Sequence, residues 1–230
     1  LIKDFFDEEK LPKSNKTGFN EVEVDPSMIL HIRPDWNSMD DYLLDMKSKH
    51  RVRVKKHLKQ GSTLEIRTLE TKEVEHYDDQ LFTLYDSVIR TSGFNMASVG
   101  EGYFGRMAKA FPSQFFIDAM FLENRLLGFY SYMIKDGALL SHFIGYDEEN
   151  NKEYSIYMNI LLGLIRNAID LKVSKLFYYR TALEIKSSVG AVPHKMYMYI
   201  KHNNAIINSS MGVIIKAFFP VPKWTPRNPF

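Results

Sequence analysis

The 230-residue chain contains no cysteine. That absence excludes a disulfide framework, thiolate metal sites and a cysteine nucleophile, and it fits a reducing compartment, with the cytoplasm as the expected location. Long apolar runs are missing as well. The longest stretches, such as Ile160 to Ile165, fall far short of the roughly 18 residues that span a bilayer, so no transmembrane segment is expected. No basic-then-apolar signal opens the chain, and Leu1 is not an initiator Met, so either the numbering begins inside a longer protein or the start was processed. Net charge is small: 30 Lys and Arg against 28 Asp and Glu leave +2, so any basic surface must be local. The histidines show no metal-ligand spacing, and no metal site is expected. No internal repeat is evident.

What is present is enough apolar material for a core, 45% of residues, with 13% aromatic, and it suits one large domain or a domain with extensions. Residues 1–27 mix charges with Pro12, Gly18 and Pro26 and read as an arm or linker, with Glu21 to Val24 a short strand. Ser38 reads as an N-cap with Asp41 three residues on, and Met39, Tyr42, Leu43, Met46, His50, Val54 and Leu58 recur at helical spacing until Gly61. Leu64 to Leu69 alternates like a strand. Asp78 to Arg90 is an amphipathic helix that Gly93 ends, and a short helix covers Tyr103 to Ala110. Three strand-like runs follow, Phe115 to Leu122, Leu126 to Ile134 and Leu139 to Tyr146, joined by Glu123-Asn124 and Asp136-Gly137. Those joints are hairpin chemistry, so the three strands form an antiparallel meander.

The helix Tyr154 to Leu171 carries its apolar face on Tyr157, Met158, Leu161, Leu164, Ile165, Ala168 and Ile169. A strand at Leu176 to Arg180 follows the joint Lys172-Val173-Ser174, which makes a βαβ crossover and a parallel pair. The sheet is therefore mixed. Glu184 to Val189 reads as a short helix ended by Gly190, Lys195 to Lys201 as a last strand, and Asn208 to Phe218 as a helix before a tail with Pro220, Pro222, Pro226 and Pro229.

The segments Trp36 to Arg53, Ile144 to Asp147, Tyr154 to Asn159 and Tyr179 to Lys186 with Gly190 resemble the signature segments of the FemAB/FemX-like and BioF2-like acyltransferases, within the GNAT superfamily. Together they cover about residues 28–204. The resemblance implies an α/β fold in which the meander, a crossover helix and a parallel strand splaying from the last meander strand form the acyltransferase domain. Residues 205–230 then form a C-terminal helix and Pro-rich tail. It also implies a longer protein of which this is the carboxy-terminal catalytic portion. One departure concerns the donor. GNAT enzymes cradle the coenzyme A pyrophosphate in a Gly-rich loop at the start of the crossover helix, whereas Asp147 to Glu153 here holds four acids and no glycine.

Acyl transfer to an amine needs a base, a group that polarises the carbonyl and an acid for the leaving group. His142, on the last meander strand, places a neutral imidazole in the splay or is a hydrogen-bonded core or rim histidine. Tyr157 and Asn159 sit in the first turns of the crossover helix, where a phenol can protonate a leaving thiolate or ribose oxygen; Tyr157 is equally spaced as core. Arg180 and Thr181 end the parallel strand at the mouth of the cleft, where Arg can hold a phosphate or carboxylate. Glu184 is a second candidate base or a plain helical charge, and Lys186, which follows it on the same helix, is a candidate donor- or substrate-binding residue together with Arg180, Thr181, Asn159, Arg51 and Arg53.

From Lys47 to Lys59 run seven Lys or Arg and two His with no acid, Arg51 and Arg53 among them. That is a solvated face or an attractor for a phosphate-rich substrate. Tyr103, Phe104, Phe115 and Phe116 read as core.

The expected activity is transfer of an acyl or aminoacyl group to an amine by direct attack, with acyl-CoA or aminoacyl-tRNA as donor. The acceptor is a small-molecule or cell-envelope precursor amine, and tRNA is an expected partner. The other class left open is a GNAT-shaped binding module without catalysis that recognises a phosphorylated ligand or partner.

Overall fold

The computed structural model describes residues 1–7, 18–91, 98–218 and 224–230. Pro12, Gly93, Pro220 and Pro222 lie outside them. In chain order the elements are β1 (Ile2–Phe6), β2 (Asn20–His31), α1 (Met39–Asp45), α2 (Ser48–Gln60), β3 (Glu65–Thr68), α3 (Thr71–Thr91), α4 (Tyr103–Ala110) and β4 (Phe115–Leu122). They continue with β5 (Arg125–Lys135), β6 (Ala138–Tyr146), α5 (Glu148–Tyr154), α6 (Ile156–Asp170), β7 (Lys175–Tyr179), α7 (Leu183–Ser188), β8 (Val192–Ile200) and α8 (Ala205–Phe218). They fall into two compact units, Leu1–Leu30 with Tyr178–Asn228, and His31–Phe177 with Pro229–Phe230.

The second unit carries the mixed sheet expected from the sequence. Strand order is β7-β6-β5-β4-β3, with β3 through β6 antiparallel neighbours. β6 and β7 run parallel over Ala138↔Lys175, Leu139↔Leu176 and Leu140↔Phe177. Both hairpin joints are left-handed at each residue, with φ of 48° and 66° at Glu123 and Asn124 and 50° and 71° at Asp136 and Gly137. That is the backbone a two-residue type I′ connection demands.

Period-two alternation sends opposite faces of this sheet to different helices. Phe115, Ile117, Ala119 and Phe121 of β4 and Phe129 of β5 join Val74, Leu81 and Tyr85 of α3 and Phe104 and Ala108 of α4 in one buried cluster. The intervening residues meet α6: Asp118 accepts hydrogen bonds from Thr68 Oγ1 and from Asn167 Nδ2 of α6, each at 2.6 Å. Residues 156, 160, 161, 164, 165 and 168 of α6 are buried, and each large apolar side chain so buried contributes roughly 1.5–3 kcal/mol.

At Gly145 the backbone of α3 crosses β6 so closely that a Cβ would stand 2.6 Å from the Leu84 carbonyl carbon and the Tyr85 nitrogen. Backbone cannot swing aside as a flexible side chain can. Gly145→Ala should therefore destabilise the chain by about 1–3 kcal/mol in urea denaturation; an unchanged midpoint would show that α3 does not sit this close.

Four local readings change. The helix from Ser38 is two helices, because Met46 is extended (ψ 143°) and the Lys47 N–H donates to the Pro229 carbonyl at 2.7 Å instead of continuing the helix. The Ser38 cap itself holds, its hydroxyl accepting from the Asp41 N–H. α3 begins at Thr71, ahead of the apolar periodicity, where the Glu73 carboxylate accepts from the Glu70 N–H at 3.0 Å in the manner of a capping box.

The acid-rich loop 148–153 is helical. Asp147 caps α5, its Oδ1 accepting from the N–H groups of Glu149 and Asn150, and Glu148 and Glu149 in the first turn suit the helix dipole. Finally, residues 2–6, read as arm, form β1 of the first unit, and the short strand expected at Glu21 to Val24 extends to the whole of β2, Asn20–His31. Both pair antiparallel with β8, in the order β1-β8-β2. The register of β2 shifts between Val24 and Ser27, where Pro26 has no N–H to give the ladder.

Candidate functional site

The chemistry in the second unit centres on β6. Tyr132 faces Ser141 and Tyr130 faces Ile144, so Ser131 alone opposes His142 and Phe143. This bulge turns two successive side chains toward α3 and α4: the Phe143 ring meets Tyr85 at 4.9 Å and the His142 ring stacks on Tyr103 at 5.7 Å. His142 lies two residues beyond Leu140, the last position at which β6 pairs with β7.

The hydrogen bonds fix the imidazole tautomer. The Ser131 hydroxyl donates to the Phe143 carbonyl and accepts the Phe143 N–H, both at 2.9 Å. Its proton is used, so toward His142 Nδ1, at 3.3 Å, it accepts. His142 therefore carries its proton on Nδ1, and its Nε2 lone pair receives the Tyr103 hydroxyl at 3.1 Å. Burial pushes the imidazole down to about 4, which keeps it neutral at pH 7. Burial also raises the Tyr103 phenol. A groove of about 470 Å³ runs beside Leu69, Lys72, Ala108, Pro112 and Phe115, and the Phe115 ring meets His142 edge-on at 5.6 Å.

Other candidates of this unit serve the fold. Asn159 is buried, its Nδ2 donating to the carbonyls of His57, Tyr154 and Ser155, which ties α6 to α2. The Arg51 guanidinium donates to the Leu44 and Met46 carbonyls and so closes the end of α1. Tyr157 packs on Tyr146, and burial raises its phenol well above the usual range, making it a weaker acid. Its N–H, in the first turn of α6, donates to Asn151 Oδ1 at 2.9 Å. That takes one of the first-turn N–H groups with which a helix start can hold a phosphate.

α2 is different. Lys49, Arg53, Lys55, Lys56 and Lys59 are exposed and pair with no carboxylate among the described residues. After burial, the positive field of Arg53 and Lys56 is what pushes His57 down.

The first unit holds the remaining candidates. Tyr179, Thr181 and Ala182 are left-handed, with φ of 55°, 70° and 46°, costly backbone for residues with a Cβ. Lys186 holds this stretch from within: its buried ammonium donates to the carbonyls of Tyr178 at 2.7 Å, Tyr179 at 3.4 Å and Arg180 at 2.5 Å. It thus pins this turn.

Arg180, read as a phosphate clamp, is ion-paired with Asp4. Glu184 accepts from the Thr225 N–H at 3.2 Å and from Arg227 at 3.3 Å. These bonds, the backbone one first, lower its carboxyl below the usual range, which weakens it as a base. Thr181 and Glu184 line a small cavity with Asp25 and Trp224.

Sequence reasoning missed Tyr103 as the partner of His142, along with Ser131, Asp25 and Trp224. The one local signal was Gly102, left-handed at φ 74° at the head of α4, which marks where Tyr103 enters its helix. Among the described residues no cluster of three or more acids and histidines could hold a metal ion. No helix among them is long and apolar enough to cross a membrane.

No family model and no curated protein matches this chain. Solved structures do. The chain is similar to L-PGS from Bacillus licheniformis, with a TM-score of 0.62 and 10% identity over 96% of this chain and 72% of that one. It is also similar to FemX, at 0.58 and 10% over 88% and 69%. A third is the C-terminal DUF2156 domain of an Agrobacterium fabrum protein named for lysylphosphatidylglycerol synthetase, at 0.58 and 8% over 88% and 67%. The fold is thus the one these structures, FemX among them, share.

Proposed function

We propose that the chain is an acyltransferase that passes an acyl or aminoacyl group to an amine by direct attack, with aminoacyl-tRNA favoured over acyl-CoA as donor. The observation that carries this reading is the neutral, doubly bonded His142 on the β6 bulge, just past the end of the parallel pairing. As the amine attacks the acyl carbon, its proton passes to the Tyr103 oxygen while the Tyr103 proton passes to His142 Nε2. The imidazolium so formed keeps its Nδ1–H on Ser131 and returns its Nε2 proton through Tyr103 to the donor oxygen as the tetrahedral centre collapses and the acyl–oxygen bond breaks. Beyond Leu140, β6 makes no parallel pairing among the described residues.

The donor preference rests on two further observations. Asn151 takes one of the first-turn N–H groups of α6, which disfavours a coenzyme A pyrophosphate, and the face of α2, unneutralised among the described residues, favours a polyphosphate chain. A non-catalytic binding module is the second reading, and it is favoured by the structural engagement of Arg51, Asn159, Arg180 and Lys186.

Filter binding of charged tRNA across a salt series tests the donor. The triple variant Lys49→Gln, Arg53→Gln, Lys56→Gln should lower the slope of log K against log salt by roughly 2 to 3. Thermal stabilisation by acetyl-CoA without salt-dependent tRNA binding would overturn the assignment, and tRNA binding without transfer to any amine would favour the binding module.

A further inference from the structure

The first unit contains a cavity of about 280 Å³ that the transferase reading does not use, walled by Asp25, Thr181, Leu183, Glu184, Ile185 and Trp224. The side chains of Leu183, Ile185 and Trp224 make it an apolar cup with an aromatic wall. Two acidic residues, Asp25 and Glu184, line it, and among the described residues no cation does. Of the described cations near it in sequence, Arg180 is spent on Asp4 and Lys186 on three carbonyls. Glu184 is spent too, since it clamps Thr225 and Arg227 and thereby holds the segment that carries Trp224.

Asp25 is not spent. Lodged in the β2 irregularity beside Pro26, it makes no hydrogen bond or ion pair among the described residues. Burial raises its carboxyl above the ordinary range, as follows for a carboxylate partly withdrawn from water with nothing to offset the loss.

A partly buried carboxylate without a partner among the described residues, an indole and an apolar cup together match one ligand chemistry. A primary ammonium on a short aliphatic chain satisfies the carboxylate with charge-assisted hydrogen bonds, meets the indole face through cation–π attraction and fills the cup with its methylenes. A phosphate or carboxylate ligand would face two acids instead. The left-handed Thr181 and Ala182 at the cavity wall add backbone held in the sparsely populated region that marks ligand clamps. The geometry points to a binding site for an aliphatic ammonium group in the Asp25–Trp224 cup, a site that stands on the first unit alone whether or not His142 turns over substrate.

The test uses the full chain and butylammonium chloride, with 1-butanol as the neutral isostere, followed by saturation-transfer NMR. Butylammonium should bind with a dissociation constant of about millimolar order, at least tenfold tighter than butanol, and Asp25→Asn should remove at least that tenfold. Far-UV circular dichroism checks the variant's fold. If Asp25→Asn loses it, Trp224→Leu takes its place, with at least a threefold loss expected. The inference is overturned if butanol binds as tightly as butylammonium, or if the folded variant binds butylammonium like the unaltered chain. Because no acyl donor is present, these outcomes are independent of the transferase assay.

Discussion

Replacing His142 by Gln should lower kcat by about 10²–10⁴-fold with KM changed little, since positioned proton transfer is worth that much. Gln keeps similar reach and polarity, so the Ser131 and Tyr103 hydroxyls retain a partner while the basic lone pair is lost. The sign of the pH dependence follows from burial, which pushes the imidazole down to about 4. The base is neutral, and therefore competent, at every pH above that value. On the enzyme's side kcat/KM should fall only as pH drops through about 4, and not near 6.5 as for a solvated histidine.

Tyr103→Phe removes the relay oxygen but leaves the stacked ring, and it should cost turnover at least tenfold with the fold intact. If His142→Gln and Tyr103→Phe both turn over at the original rate, the pair is structural and the proposed mechanism fails.

Lys186→Met should destabilise the chain by about 2–4 kcal/mol. Met fills the same space but leaves three carbonyls that an ammonium now satisfies, and an orphaned buried acceptor costs roughly 1–3 kcal/mol. For a chain of this size that corresponds to a Tm lower by about 5–15 °C. A pH series separates this from a simple packing defect. Burial pushes Lys186 down to about 7, whereas an unfolded lysine keeps its proton until about 10.5. Between those values the unfolded state binds the extra proton, so stability should rise with pH as the burial cost of the charge disappears. The Met variant should lose that rise. An equal rise in both proteins, or an unchanged Tm, would show that the ammonium does not hold the Tyr178–Arg180 carbonyls.

The meander was legible in the sequence because its determinants are local. Asp136-Gly137 and Glu123-Asn124 accept left-handed backbone, and the strands around them alternate cleanly. The crossover and parallel pair followed from the apolar face of α6 and the short joint after it. The break between α1 and α2 was hidden because Pro229, far away in sequence, supplies the carbonyl that takes the Lys47 N–H. α5 was hidden because a helix held by an Asp147 cap and dipole-matched acids has no apolar period to read. The candidate site was less legible still. His142 stood out, but a tertiary bulge selects Tyr103 as its partner. Lys186 and Arg180 looked like ligand hands because charge at such positions usually faces water, and only the fold reveals that a strained turn and Asp4 claim them.

The first unit also sets a schedule for synthesis. Met28 of β2 lies opposite Pro193 of β8, so an early strand waits for a partner that leaves the ribosome much later. At ordinary elongation rates the interval is roughly 10 to 30 s. Throughout it β1 and β2 expose unpaired edges, the kind of surface that invites wrong partners. Yield on expression should therefore respond to whatever shields those two strands during translation, more than to changes in the locally paired meander.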